Sequence, residues 1–142
     1  MLQRAFKREC LISPIHIVTD GREGIRYLQG EGEYAQSDKF PFSQLVLLDL
    51  NMPNADGFEV LQWRKHHHGY YFVPTLVVSA SNQQEDIQKA YELGATAYFI
   101  KPGSLEQLQK FARTIYDFWM SSAKPEIKNC RSPVGLPRFQ ER

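Results

Sequence analysis

Cysteine is scarce in this chain, and so are long apolar runs and excess charge of either sign. The two cysteines, Cys10 and Cys130, sit near opposite ends with no metal-type spacing between them. That excludes a disulfide scaffold and a cysteine-based zinc site, and it predicts free thiols in a reducing compartment. Lysine and arginine number 17 against 16 aspartates and glutamates, a formal net charge of +1. Such a balance gives no general field for nucleic acid or a membrane surface. No apolar stretch approaches membrane-spanning length, and the amino terminus has no signal-peptide pattern, so the reading is cytoplasmic. Internal repeats are absent too. What remains is a 142-residue chain, 42% apolar, which suits one domain with one core.

Short β-rich runs alternate with helical patterns. Residues 15–19, 45–49, 74–79 and 96–100 read as strands. They are nearly continuous in apolar residues, as strands covered on both faces of a parallel sheet must be. Leu2, Ala5, Phe6 and Cys10 fall at helical spacing. Helices are predicted over 23–29 and 57–66, the second with Phe58, Val60 and Leu61 inward. Asn82 with Glu85, and Ser104 with Gln107, have the form of capping boxes. The first opens a helix with Ile87, Ala90 and Tyr91 inward, closed by a left-handed Gly94. The second opens a helix carrying Leu105, Leu108, Phe111, Ala112, Ile115 and Trp119 on one face. Residues 30–43 read as a polar loop. Residues 121–142 hold three prolines, five basic residues and two glutamates without apolar periodicity, and read as a flexible basic tail. The expected organisation is a domain over 1–120 and a tail over 121–142. Its α/β alternation places any functional crevice at the carboxyl ends of the strands.

Asp49 ends the aliphatic run Leu45-Val46-Leu47-Leu48. A charge at the end of a buried strand is costly unless something uses it. By itself it could cap the next turn. Asp20, Ser79 and Lys101 also fall at predicted strand ends, which favours a shared site. Taken singly, Lys101 reads as a solvated lysine, Ser79 as a hydroxyl bonding its own backbone, and Tyr98 as core. His66, His67 and His68 are consecutive and point apart on a helix, which favours a solvated helix end over a metal site. Trp63, Trp119, Tyr70, Tyr71 and Phe72 read as packing residues.

The segment Leu47-Leu48-Asp49-Leu50-Asn51-Met52-Pro53, followed by Asp56-Gly57, resembles the phosphoacceptor segment of response-regulator receiver domains. Val77-Val78-Ser79-Ala80 is similar to the family's switch strand. Leu93-Gly94-Ala95-Thr96-Ala97-Tyr98-Phe99-Ile100-Lys101-Pro102 is similar to its last strand with the Lys-Pro pair. Order and spacing agree from about Leu2 to Trp119. The resemblance implies a flavodoxin-like, doubly wound parallel sheet. It makes Asp49 the phosphoacceptor, with Lys101 pairing a phosphoryl oxygen and Ser79 offering its hydroxyl. Ser79 and Tyr98 would be the switch residues, Tyr98 swinging inward as Ser79 moves. Asp49 and the Asn51 backbone carbonyl would be Mg²⁺ ligands, and Pro102 would hold a Lys-Pro bond that is often cis in the family. The implied partners are a sensor histidine kinase or histidine phosphotransfer protein and a downstream protein. The loop around Glu31-Gly32-Glu33-Tyr34 resembles the phytochrome-associated single-domain branch.

One departure from the family is expected. Receivers begin with a central strand ending in two adjacent acids that hold the magnesium. Here Met1 falls where the family's first helix is under way, and no acidic pair occurs. Glu9, near the other end of that helix, cannot substitute. The expectation is a sheet lacking the first central strand, with weak Mg²⁺ binding and slow or absent metal-assisted transfer. Losing such a strand would cost stability on the order of a whole domain's, ~5–15 kcal/mol. A start further upstream, direct pairing of strands 15–19 and 45–49, or a strand from a second copy in a swapped homodimer would each resolve this. The competing functional reading is a phosphorylation-independent pseudo-receiver that binds proteins. An Asp-nucleophile phosphatase needs a second Asp where Asn51 stands, so the chain is not read as an enzyme.

Overall fold

Strand β2 (Thr75–Ser79) is buried at all five positions, and the fold is built around it. The computed structural model describes residues 5, 20–36, 45–50, 56–67, 70 and 73–123. These fall into two compact units, 20–100 in one and Ala5 with 101–123 in the other. In the larger unit β2 lies between β1 (Val46–Leu48) and β3 (Ala97–Ile100), all parallel. Leu48 is paired with Val77, Val77 with Tyr98, and Ser79 with Ile100. A strand flanked on both edges and covered on both faces must be apolar throughout, which is why Leu76-Val77-Val78 does not alternate.

Three helices belong to this unit. Helix α1 (Gly21–Gln29) is capped by Asp20, whose carboxylate accepts the Glu23 N–H at 2.8 Å. Helix α2 (Gly57–His66) is capped by Asp56 through the Glu59 N–H at 2.9 Å. Helix α3 (Gln84–Glu92) ends in a Schellman motif. There the Ala95 N–H donates to the Ala90 carbonyl and the Gly94 N–H to the Tyr91 carbonyl, with Gly94 at φ 94°. Leu48, Leu50, Val60, Leu61, Val77, Ala90 and Ala95 form the core, with Ile25, Phe58, Leu93 and Tyr98 packed against it.

Arg64 is a charged residue that no local pattern marks for burial. It is 7% exposed, its Nε donates to the Val73 carbonyl at 3.0 Å, and its Nη1 to the Gly94 carbonyl at 2.8 Å. It thus ties the carboxyl half of α2 to the entry of β2 and to the turn after α3. Burial lowers its pKa from the ordinary value, but a guanidinium stays charged. Replacing it by methionine keeps the bulk and removes both bonds. The expected loss is about 2–3 kcal/mol in a urea titration, and Arg64→Lys should not restore it because an ammonium lacks the planar fork. A midpoint unchanged in Arg64→Met would show that the two carbonyls find other donors at no cost.

The smaller unit contains α4 (Leu105–Ser121), capped by Ser104, whose hydroxyl accepts the Gln107 N–H. Leu108, Ala112 and Ile115 are buried at helical spacing. Ala5 in the same unit is buried too.

Several expectations need correction. The strands are one to two residues shorter than read. The Asn82–Glu85 capping box does not form: Gln83 is the cap and makes no side-chain cap bond. The Ser81 hydroxyl instead receives the Gln83 N–H and donates to Asp86. Tyr91 and Leu105, expected inward, are 47% and 45% exposed. Tyr91 leaves the core because its hydroxyl accepts the Tyr98 N–H. No peptide bond in the described residues is cis, including Lys101–Pro102. The strand expected over 15–19, Cys10, Cys130, residues 37–44, Asn51 and its neighbours through Ala55, His68, Tyr71, Phe72 and residues 124–142 lie outside the described residues.

The expected 30–43 loop is partly regular. Gly32–Ala35 form a 3₁₀ turn that buries Tyr34. The Tyr34 hydroxyl donates to Glu23 at 2.7 Å, and Arg26 donates to the same carboxylate at 2.6 Å. The Tyr34 bond, and then Arg26, holds the Glu23 carboxyl below its ordinary value. The same bond pushes the Tyr34 phenol up to about 12. A raised folded pKa means stability present below the unfolded phenol's range near pH 10 and lost as pH rises toward about 12. For Glu23 the sign is opposite: its contribution is present above the ordinary carboxylate range and fades as pH falls through the lowered value. Tyr34→Phe is expected to raise the Glu23 carboxyl pKa in an NMR titration. It should also remove the late step from the phenolate absorbance titration. An unmoved Glu23 would show that Arg26 alone sets it.

Candidate functional site

Parallel pairing sets the geometry. Asp49 follows Leu48 at the carboxyl end of β1, and Ser79 closes β2 two residues after Val77, the partner of Leu48. The sheet therefore brings Asp49 and Ser79 to one edge. Ile100, paired with Ser79, closes β3 at the same edge. Lys101 is next in the chain, half-buried, and opens the smaller unit.

Asp49 is half-buried between two buried leucines, Leu48 and Leu50. The chain returns to it at the start of α2, where the Gly57 N–H donates to the Leu50 carbonyl at 3.1 Å. This approach needs glycine. A Cβ at Gly57 would lie 2.6 Å from the Asp49 carbonyl oxygen and 2.7 Å from the Leu50 Cα. Gly57 thus lets the first turn of a helix sit directly on the backbone of the strand-end acid. The sequence showed Asp56-Gly57 as a motif but gave no reason for the glycine.

Ser79 is fully buried, and its Oγ accepts the Ser81 N–H at 3.2 Å. Tyr98 is half-buried against the core, and its hydroxyl donates to the Ser81 carbonyl at 2.8 Å. The two expected switch residues therefore meet through one intermediary, Ser81, which sequence reasoning missed. The available signal was a second serine two positions after Ser79 in Val-Val-Ser-Ala-Ser.

The receiver resemblance implies a magnesium ion beside Asp49. Among the described residues no group of three or more His, Cys, Asp or Glu side chains could hold a metal ion. Asp49 is a single strand-end carboxylate, and Asn51 lies outside the described residues. The described residues do not fit a Mg²⁺ set, which prefers an octahedron of oxygens with one or two carboxylates plus substrate oxygens. His66 and His67 form no such group either: the His67 ring stacks on Trp63 at 4.4 Å and its Nδ1 faces the Trp63 carbonyl.

A parallel α/β sheet with an acid, a buried hydroxyl and a half-buried tyrosine gathered at one end defines a receiver-type module. The chain belongs to the response regulator receiver domain family, whose model matches residues 2–113. It is 33% identical over 122 residues to response regulator Rcp1 of Synechocystis sp., covering 86% of this chain and 81% of that protein. It is 31% identical over 120 residues to a probable methanogenesis regulatory protein, FilR2, of Methanothrix harundinacea, covering 84% and 75%. Among solved structures it is similar to the phosphorylated cyanobacterial phytochrome response regulator RcpA. The TM-score is 0.79 at 35% identity, with 88% of each chain covered. The Mn²⁺-bound form of Rcp1 gives a TM-score of 0.77 at 32% identity, covering 87% and 91%. The expected flavodoxin-like receiver fold is thereby borne out. No helix of the described residues is long and apolar enough to cross a membrane.

Proposed function

We propose that residues 1–120 form a phosphorylation-controlled binding module of the phytochrome-associated branch. A sensor histidine kinase or histidine phosphotransfer protein supplies the phosphoryl group, and a downstream protein reads the result. An Asp49 carboxylate oxygen attacks phosphorus of the phosphohistidine. The P–N bond breaks, its electron pair stays on the imidazole nitrogen, and an acyl phosphate forms. That bond is labile, so water returns the carboxylate and the signal decays. Lys101 pairs with a phosphoryl oxygen as a point charge. Ser79 turns its hydroxyl from the Ser81 N–H toward the phosphoryl group, and Tyr98 moves with it.

The reading is carried by one observation, the placing of Asp49 and Ser79 at the same edge of a parallel sheet. The family match and the similarity to a regulator solved in its phosphorylated form support it. Incubation with acetyl phosphate, with and without Mg²⁺, tests it by intact mass. The expected result is uptake of one phosphoryl group at Asp49. No uptake under either condition would leave the protein-binding pseudo-receiver as the function.

A further inference from the structure

Helix α3 gives up an aromatic residue to the surface. Tyr91 is 47% exposed, and its hydroxyl accepts the Tyr98 N–H at 3.1 Å. That N–H belongs to β3, which ends the sheet order β1-β2-β3 among the described residues. In a parallel ladder successive residues turn their backbone N–H groups alternately toward the neighbouring strand and away from it. The bond to Tyr91 is solvent-exposed and puts Tyr98 in the outward set. Ile100, two residues on and 53% exposed, shares that phase.

An edge strand is a template for a further strand, and proteins discourage this with lysine, proline, bulges or charges along the edge. Strand β3 has none of them. Ala97-Tyr98-Phe99-Ile100 is uncharged, and its register with β2 runs from Ala97 to Ile100 without a skipped residue. Lys101 and Pro102 come only after the last paired position. A second copy of such an edge meets no like charge. Related by a two-fold axis, two copies of β3 pair antiparallel and are complementary to themselves. What stands at this edge instead is a phenol. It takes the Tyr98 N–H as the carbonyl of a neighbouring strand does. It offers no backbone beyond that position, so the ladder stops there.

We propose that Tyr91 guards the β3 edge: its hydroxyl holds the ladder position at which β3 of a second copy of this chain would otherwise pair. The guard is independent of the chemistry at Asp49. A strand added at this edge would fix the backbone of Tyr98 and join two copies whatever the state of the acid.

Tyr91→Phe keeps the ring and removes the acceptor. In dilute solution the Tyr98 amide should then exchange with solvent roughly five- to tenfold faster, the effect of one lost hydrogen bond. At higher concentration, sedimentation should show a reversible association beyond any shown by the unsubstituted chain, with the mass doubling. The Tyr98 amide should become protected again over the same concentrations, because β3 of the second copy supplies its acceptor. Adding Ile100→Lys to Tyr91→Phe gives the edge a conventional guard. The two lysines then oppose each other across the two-fold axis, and sedimentation should return to that of the unsubstituted chain. Tyr91→Phe that sediments like the unsubstituted chain at every concentration overturns the proposal. So does association that Ile100→Lys leaves in place, since that comes from another surface or from partial unfolding.

Discussion

Asp49→Asn is expected to reduce phosphoryl uptake from acetyl phosphate to background while the protein stays folded. The substitution is nearly isosteric, so packing between Leu48 and Leu50 is retained. What disappears is the nucleophile: an amide oxygen lacks the negative charge needed to attack phosphorus and cannot form an acyl phosphate. The Ser79 hydroxyl is proposed at the same edge, yet Ser79 is fully buried with its Oγ already bonded. It cannot substitute. Intact mass and a urea titration on the same sample separate chemistry from stability. Uptake that persists in Asp49→Asn would move the phosphoacceptor elsewhere in the chain.

Gly57→Ala should be the most damaging single-methyl addition in the larger unit. The new Cβ would meet backbone atoms, the Asp49 oxygen at 2.6 Å and the Leu50 Cα at 2.7 Å, with the Leu50 Cδ2 at 3.0 Å. Backbone cannot rotate aside as a flexible side chain can. Either α2 lifts from β1 and breaks the Gly57 N–H to Leu50 carbonyl bond, or Asp49 is displaced. Overpacking of this kind costs typically about 1–3 kcal/mol. Each kcal/mol lowers the melting temperature by roughly 4 °C in a chain of this size. The small gain in helix propensity from alanine does not offset that. The diagnostic is the joint loss: a lowered midpoint together with reduced uptake at Asp49. A variant as stable as the parent with normal uptake would mean that the helix accommodates the methyl by a slide the sheet tolerates.

The larger unit was largely legible because parallel strands advertise themselves. Leu76-Val77-Val78 had to be buried on both faces, and it is. Helix α2 was readable over its full length from a glycine start and the inward set Phe58, Val60 and Leu61. Caps were less legible. Asn82 and Glu85 have the right spacing for a capping box, yet Ser81 takes the Gln83 N–H and Asp86 instead. Spacing names candidates, and only the path of the chain into the helix chooses among them. The burial of Tyr34 was not legible, because it depends on Glu23 and Arg26 one element earlier, a meeting that no local pattern encodes.

The identities and spacing of Asp49, Ser79, Tyr98 and Lys101 were in the sequence, and they determined the family. Strand ends alone placed Asp49 and Ser79 at one edge, since parallel strands must present their carboxyl ends together. The tertiary structure decided the contacts between elements far apart in the chain. It set the need for glycine at position 57, where a helix start rests on the Asp49 backbone. It buried Arg64, whose partners lie in two other turns. It also joined Ser79 to Tyr98 through Ser81. These depend on distances between atoms that the sequence places far apart, and folding alone brings them within bonding range.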